Sequence, residues 1–220
     1  VWESERWSTE EGEQMPKLFS IKPTLTLRGR KFDGIRGWAG KPTHPPLTDF
    51  PVVCYVLAAV FDVVSFIAGR EEPPSAVAHD FSRAATFVIV TGAIVSVATA
   101  VTGFWDWWKG LPRDSSTGFI GKAEHTQVWR TANWHMTVML TVTAIVLADI
   151  VLRFARFDDG STGAVVMALS VVVAALVALG AAYGGALVFE YQFNVQPLKG
   201  STAWNETEDD QLPGAKPPTG

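Results

Sequence analysis

The sequence is poor in cysteine and lacks the short motifs that mark common catalytic sites. Its single cysteine, Cys54, excludes a disulfide framework and leaves no cysteine pair for a zinc or iron–sulfur site. It has no glycine-rich phosphate loop, no HExxH-type metal motif and no recognisable set of nucleophile, base and acid. We therefore expect that the chain is not an enzyme on its own.

Charge is also scarce in four long stretches. No charged residue follows Arg83 until after Phe104, and a run of this kind is long enough to cross a bilayer, which takes about 20 apolar residues. Similar stretches run from about Phe50 to Gly69, from near Thr131 onward, and within residues 160–189. The pattern predicts an all-α integral membrane protein, a bundle of four transmembrane helices with extended cytoplasmic termini.

The charged residues divide the chain into three parts. Residues 1–49 are predicted to form an acidic tail and then a basic segment on the membrane surface, residues 50–192 the transmembrane domain, and residues 193–220 an acidic, extended tail. The basic segment places the N-terminus in the cytoplasm by the positive-inside rule, and four spans return the C-terminus to that side. Its partner is predicted to be anionic lipid and not nucleic acid, because no nucleic-acid recognition module is present.

Prolines between Lys41 and Pro51 predict an irregular approach to the first helix. Proline lacks an amide hydrogen and disfavours a regular helix. We therefore expect His44 to lie in a rigid turn and helix 1 to begin near Phe50.

Asp62 is the most unusual residue in the predicted spans. A carboxylate inside a bilayer is costly and is by default a functional hypothesis, so Asp62 is a candidate proton-relay or coupling residue. The alternative is a structural carboxyl group that is hydrogen-bonded or paired with an arginine. Asp149 and Arg153, one turn apart at the far end of helix 3, predict a separate ion pair near the surface.

Three of the four histidines fall on the predicted cytoplasmic side, namely His44, His125 and His135, whereas His79 falls on the other side. A neutral imidazole can ligate haem iron, and a pair of histidines on facing helices can hold a b-type haem. His135 is the best candidate ligand. Because no second histidine lies inside a predicted helix, we expect no stoichiometric haem in the purified chain.

A quinone headgroup is the alternative ligand. His44, Arg130, Trp134 and His135 together offer a cation, a flat aromatic face and imidazole groups at the depth where a quinone headgroup lies. The same residues also fit an ordinary membrane interface. The sequence therefore predicts these four as cofactor-binding residues, with haem b, quinone and a purely structural role left open.

Several of these residues belong to a wider pattern. The sequence has His44-Pro-Pro-Leu-Thr-Asp-Phe-Pro51, then Asp62, Gly103-Phe-Trp-Asp106, Trp134-His135 and Gly184-Gly185. From about Gly40 to Val195 it resembles the bacterial family of predicted membrane proteins called domain of unknown function 2231. Some relatives in that family are fused to Rieske-type iron–sulfur domains, so the resemblance implies a place near electron transfer.

We therefore expect an integral subunit or accessory of a bacterial electron-transfer complex in the plasma membrane, with other subunits of that complex as partners. One alternative is a membrane anchor that carries b-type haem. Another is a subunit of a proton- or solute-coupled transporter or channel that uses Asp62.

The two predicted hairpins, helices 1 and 2 and helices 3 and 4, are similar to each other. Each has an aspartate in its first helix, Asp62 and Asp149, and each second helix ends near a glycine that precedes aromatic and acidic residues. An internal repeat is therefore a hypothesis.

Overall fold

The fold is a bundle of four α-helices. The computed structural model describes residues 43–111 and 126–194. Of these residues 83% are helical, and none of them lies in a strand. The helices are α1 (His44–Ala68), α2 (Ala76–Gly110), α3 (Gln127–Ala155) and α4 (Ala164–Phe189). The predicted four-helix fold is confirmed, whereas most of the two predicted tails and His125 lie outside the described residues.

All four helices have the surface of membrane-spanning segments. Each contains an 18-residue stretch with a mean hydropathy between 2.1 and 2.7, and no more than 33% of any such stretch is buried inside the bundle. The outward side chains are large and apolar, for example Ile94, Val97 and Val151. A surface of this kind needs lipid around it, so the chain is a multi-pass membrane protein.

The helices form a ring in which each contacts two neighbours. Packing is most extensive between α1 and α2, followed by α3 with α4 and α1 with α4, and it is least between α2 and α3. The helices α1 and α3 are therefore diagonal to each other. We call the two ends of the bundle the histidine end, which holds His44 and His135, and the arginine end, which holds Arg153.

The centre of the bundle is a cluster of aliphatic side chains around one tyrosine. Tyr55 is buried there, and its hydroxyl group shares a 2.7 Å hydrogen bond with the Ser96 hydroxyl on α2. Gly92 lets α1 approach, since a Cβ at that position would lie 2.8 Å from the Cβ of Cys54. The other buried members of the cluster are Ala58, Ile89, Val142, Val146, Val173 and Val177.

Helix α1 begins at His44, and the expectation that the prolines would delay it to Phe50 is wrong. Two of them lie in the first turn, where the amide hydrogens have no acceptor within the helix. Pro51 lies inside the helix and leaves the Leu47 carbonyl without its usual donor. The Thr99 hydroxyl on α2 shares its hydrogen between that carbonyl at 3.3 Å and the Val95 carbonyl at 3.1 Å, so a neighbouring helix partly replaces the missing bond.

The second helix is also longer than its uncharged stretch. It begins at Ala76, capped by the Ser75 hydroxyl, which accepts from the Ala78 amide. Its 35 residues make it about 52 Å long at 1.5 Å per residue. Because the hydrocarbon core is about 30 Å thick, α2 extends beyond it.

The two hairpins have corresponding positions, as the internal-repeat hypothesis requires. Asp62 and Arg153 are 91 residues apart, and the same spacing separates His44 from His135. Buried positions follow this spacing as well, because Tyr55 corresponds to Val146 and Ala58 corresponds to Asp149.

The contact between Thr99 and Leu47 yields a first prediction. Replacing Thr99 by Val keeps the shape of the side chain but leaves the Leu47 carbonyl unpaired in a dry interface. We expect Thr99→Val to lower the free energy of unfolding by about 1 kcal/mol, whereas Thr99→Ser should stay near the wild type. Equilibrium unfolding in mixed micelles measures both, and equal stability of the two variants would contradict the role of this hydroxyl.

Candidate functional site

Two histidines occupy equivalent positions at the histidine end. The Nδ1 of His44 on α1 donates to the Thr99 carbonyl on α2 at 3.1 Å. The Nδ1 of His135 on α3 donates to the Gly180 carbonyl on α4 at 2.9 Å. The two rings lie at the same end of the bundle, on helices that are diagonal to each other. His44 therefore lies within a helix, contrary to the expectation of a turn residue before helix 1.

A glycine lies beside each imidazole ring, one turn after the residue that accepts its bond. A Cβ on Gly103 would lie 2.6 Å from Cε1 of His44, and a Cβ on Gly184 would lie 3.2 Å from Cε1 of His135. Any side chain at position 103 would therefore push the His44 ring away. The sequence motifs that contain these glycines are explained by this close packing.

The bonds to backbone carbonyls determine the protonation of both rings. A carbonyl oxygen only accepts, so Nδ1 carries the hydrogen in His44 and in His135. In a neutral imidazole the other nitrogen, Nε2, then has a free lone pair. This is the arrangement of metal-ligating histidines, whose second nitrogen donates to a carbonyl or carboxylate.

Arg130 and Trp134 do not join this pair. Both lie on an exposed side of α3, and Trp134 has 59% of its surface exposed. They line an open cleft of about 180 Å³ together with Trp129, Asn133 and Thr137. The four predicted cofactor-binding residues therefore divide into a histidine pair between the helices and an Arg130–Trp134 cleft on the surface of α3.

At the arginine end, Asp62 is part of a fully buried polar cluster. It has no exposed surface, and Arg153 from α3 binds both of its oxygens, with a distance of 3.0 Å from Nη1 to Oδ1. Thr162 donates to Oδ1 at 3.0 Å, and Ser170 on α4 donates to Oδ2 at 2.5 Å. The carboxylate of Asp62 thus accepts hydrogen bonds from α3, from the turn before α4 and from α4. This favours a structural role, in which Asp62 joins α1 to those three parts of the bundle.

Asp149 belongs to the same cluster, and the expectation of a separate surface ion pair with Arg153 is wrong. Its side chain is fully buried, and its Oδ2 accepts from Nε of Arg153 at 3.2 Å and from Nη2 at 3.1 Å. The turn before α4 closes the cluster, because the Thr162 amide donates to the Ser65 hydroxyl at 2.9 Å. His79 lies at this end of the bundle, 3.9 Å from Asp80.

Several residues of both sites were not singled out in the sequence. Ser170 had a detectable signal, because it is the one hydroxyl in the middle of an apolar run in α4. Thr99 and Thr102 had none, since threonine in a membrane helix ordinarily satisfies its own hydroxyl group one turn back, and Thr162 had none because it lies in the turn before α4. Thr102 lies 3.3 Å from Nδ1 of His44.

These features define a helical, multi-pass membrane protein with polar groups buried between its spans. The chain belongs to the family described as Predicted membrane protein (DUF2231), which matches residues 40–197. The resemblance drawn from the sequence is thereby confirmed. No curated protein and no solved structure matches the chain.

The buried cluster yields a second prediction. Arg153→Met leaves two buried carboxyl groups without their cation, and breaking a buried pair in this way costs about 3–5 kcal/mol. We expect a loss of stability of that size in equilibrium unfolding. Replacing all three charged residues together, as in D62N/D149N/R153M, should recover much of the lost stability, because no unpaired charge is left.

The matched control is Arg156→Met, because Arg156 is exposed near the same end of α3. It should stay close to the wild type in the same unfolding assay. If Arg156→Met were as unstable as Arg153→Met, the loss would not come from the buried pair.

Proposed function

We propose that this protein is an integral subunit of a bacterial electron-transfer assembly and that His44 and His135 hold a b-type haem. The observation that carries the proposal is the histidine pair itself. Two imidazoles on diagonal helices, at the same end of the bundle, each have Nδ1 fixed on a carbonyl of the adjacent helix. Two such nitrogens could hold a b-type haem, which would supply electron-transfer chemistry.

The chemistry of the donors fits iron better than it fits an oxidised quinone. A quinone carbonyl needs a hydrogen-bond donor, and the only hydrogen on each neutral ring is already donated to the backbone. Making a second donor requires an imidazolium ion inside an apolar bundle, which is costly. A ferric or ferrous ion needs the lone pair on Nε2, which the tautomer supplies.

The two imidazole rings pack closely on the neighbouring helices. Gly103 on α2 and Gly184 on α4 leave room for the rings of His44 and His135. The contact between α2 and α3 is the least extensive in the bundle, so this is the side on which the helices separate most easily. The haem would supply a reversible one-electron centre, and His44 and His135 would hold it between the helices.

A quinone is a second candidate ligand, for a different place. The cleft of about 180 Å³ contains Arg130 as a donor and the exposed face of Trp134. A lipid-soluble headgroup in that cleft would lie on α3, the same helix as His135. This arrangement fits an assembly that exchanges electrons with the membrane pool.

The proposed location is the bacterial plasma membrane, with the histidine end toward the cytoplasm. The segment between Lys17 and Lys41 is strongly basic and enters α1 at this end. The connections at the arginine end carry more acid than base, with Arg70, Arg83 and Arg156 against Glu71, Glu72, Asp80, Asp158 and Asp159. The acidic and basic termini are proposed to contact the partner subunits.

A visible spectrum tests the haem proposal. Protein purified from a host supplied with a haem precursor should contain about one b-type haem per chain, with a reduced-minus-oxidised band. His44→Ala and His135→Ala should each abolish that band. His135→Met should keep bound haem with a changed spectrum and a raised potential, because methionine is also an axial ligand.

Two control variants accompany this experiment. His79→Ala changes a histidine at the other end, and Arg130→Gln changes the cleft, so both should keep the band. Membrane-inserted wild-type protein without haem would overturn the proposal. Loss of haem in all variants in proportion to lost protein would indicate a structural role for the pair.

Cysteine labelling tests the orientation. In a Cys54→Ser background, Asp80→Cys at the arginine end should react with a membrane-impermeant maleimide in right-side-out vesicles, whereas Glu190→Cys at the histidine end should not. Both positions are exposed in the structure, so accessibility depends on the side of the membrane. The opposite labelling pattern would invert the proposed topology.

A further inference from the structure

The polar cluster at the arginine end has an unbalanced set of ionisable groups. Asp62 and Asp149 provide two carboxyl groups, and Arg153 provides one cation. If both carboxyl groups were ionised, the cluster would keep a net negative charge with all three side chains at most 3% exposed. A charge buried between membrane helices without a partner is strongly unfavourable.

The hydrogen bonds of Asp62 and Asp149 differ, and they indicate which of the two carboxyl groups is ionised. Both oxygens of Asp62 accept, from Arg153, Thr162 and Ser170. Asp149 accepts through Oδ2 alone, and its buried Oδ1 has no hydrogen-bond partner among the described residues. An ionised carboxylate distributes its charge over both oxygens, so the orphaned Oδ1 fits a neutral carboxyl group.

We infer that Asp149 is a proton-binding site, with the proton on Oδ1, and that the cluster is neutral when this proton is bound. Arg153 and ionised Asp62 then form a balanced pair, and Asp149 accepts from Arg153 through its carbonyl oxygen. Release of the proton breaks the O–H bond, leaves the electron pair on Asp149 and gives the cluster one negative charge. The inference does not depend on haem or quinone.

Hydroxyl groups connect this site to the surface of the arginine end. Ser170 lies 2.5 Å from Asp62 and 3.3 Å from Asp149, so it bridges the two carboxyl groups. Thr162 is bonded to Asp62 and also lines a cavity of about 20 Å³. This volume is enough for one water molecule. Ser170, Asp62 and Thr162 therefore connect Oδ2 of Asp149 to this cavity, and the proton on Oδ1 enters the chain when the carboxyl group turns that oxygen toward Ser170.

The groups around the site leave Asp149 as the group that titrates. Helix α1 contributes Asp62, and α3 contributes Arg153, with Arg156 in the cavity wall after it. Helix α2 contributes only the hydroxyl groups of Ser82 and Thr86, and α4 contributes only that of Ser170. The arginines remain charged at all ordinary pH values.

Infrared spectroscopy of the whole chain in lipid nanodiscs at neutral pH tests the inference. The wild type minus Asp149→Asn difference should contain the carbonyl band of a protonated carboxyl group. Asp106 is another buried carboxyl group, but it is present in both proteins and cancels in the difference. The band should shift in D₂O without unfolding, and Thr162→Val should slow that shift if the proton exchanges through the cavity.

Thermal unfolding gives an independent readout. Asparagine resembles a protonated aspartate, so Asp149→Asn should unfold near the wild-type temperature. Asp62→Asn should unfold at a clearly lower temperature, because its amide hydrogens would face the donors Arg153, Thr162 and Ser170. A difference spectrum without the band would overturn the inference, and so would equal destabilisation by the two substitutions. A midpoint that rises with sodium in the wild type but not in Asp149→Asn would overturn it in favour of a metal cation.

Discussion

The contact between Asp62 and Arg153 is the interaction on which the arrangement of the four helices depends. Lipid is as apolar as leucine, so the hydrophobic effect does little to bring membrane helices together. Side-chain packing and buried polar bonds must select one arrangement. The Asp62–Arg153 pair joins α1 to α3, which are not neighbours, and Ser170 joins α4 to both. This bond network fixes the rotation of three helices at once.

The same diagonal is used differently at the other end. There His44 and His135 bond to the adjacent helices and not to each other, through Nδ1 only. At the arginine end most donors and acceptors bond to one another. At the histidine end the Nε2 lone pair of each imidazole is not used in these bonds. The many bonds at the arginine end provide rigidity, whereas the lone pairs at the histidine end are the feature on which the proposed haem ligation depends. The cluster around Arg153 and the pair of histidines are thus separated by most of the membrane thickness.

The sequence was sufficient for the helices and insufficient for their contacts. Uncharged length alone identified four spans, and the rarity of carboxylates in membranes identified Asp62. Its partner was not predictable, because Arg153 has a nearer carboxylate one turn away and the diagonal pairing follows only from the ring of helices. The early start of α1 was missed because Thr99, on another helix, compensates for Pro51.

For the predicted site residues, too, the sequence did not predict which neighbours each side chain contacts. Trp134 and His135 are adjacent in sequence, but successive residues in a helix differ in direction by about 100°. One side chain therefore faces lipid while the next reaches α4. The sequence places both residues at the same depth in the membrane, and only the packing of the helices separates them into two sites.

The matched spacing of the two hairpins has a consequence for assembly. Under the internal-repeat hypothesis the first helices of the two hairpins are equivalent, but one of two corresponding positions holds Asp62 and the other holds Arg153. Two copies of the first half would bring carboxylate against carboxylate, and two copies of the second would bring guanidinium against guanidinium. Each hairpin is thus a poor partner for itself and a good partner for the other, which disfavours pairing of two identical hairpins from neighbouring chains in the bilayer.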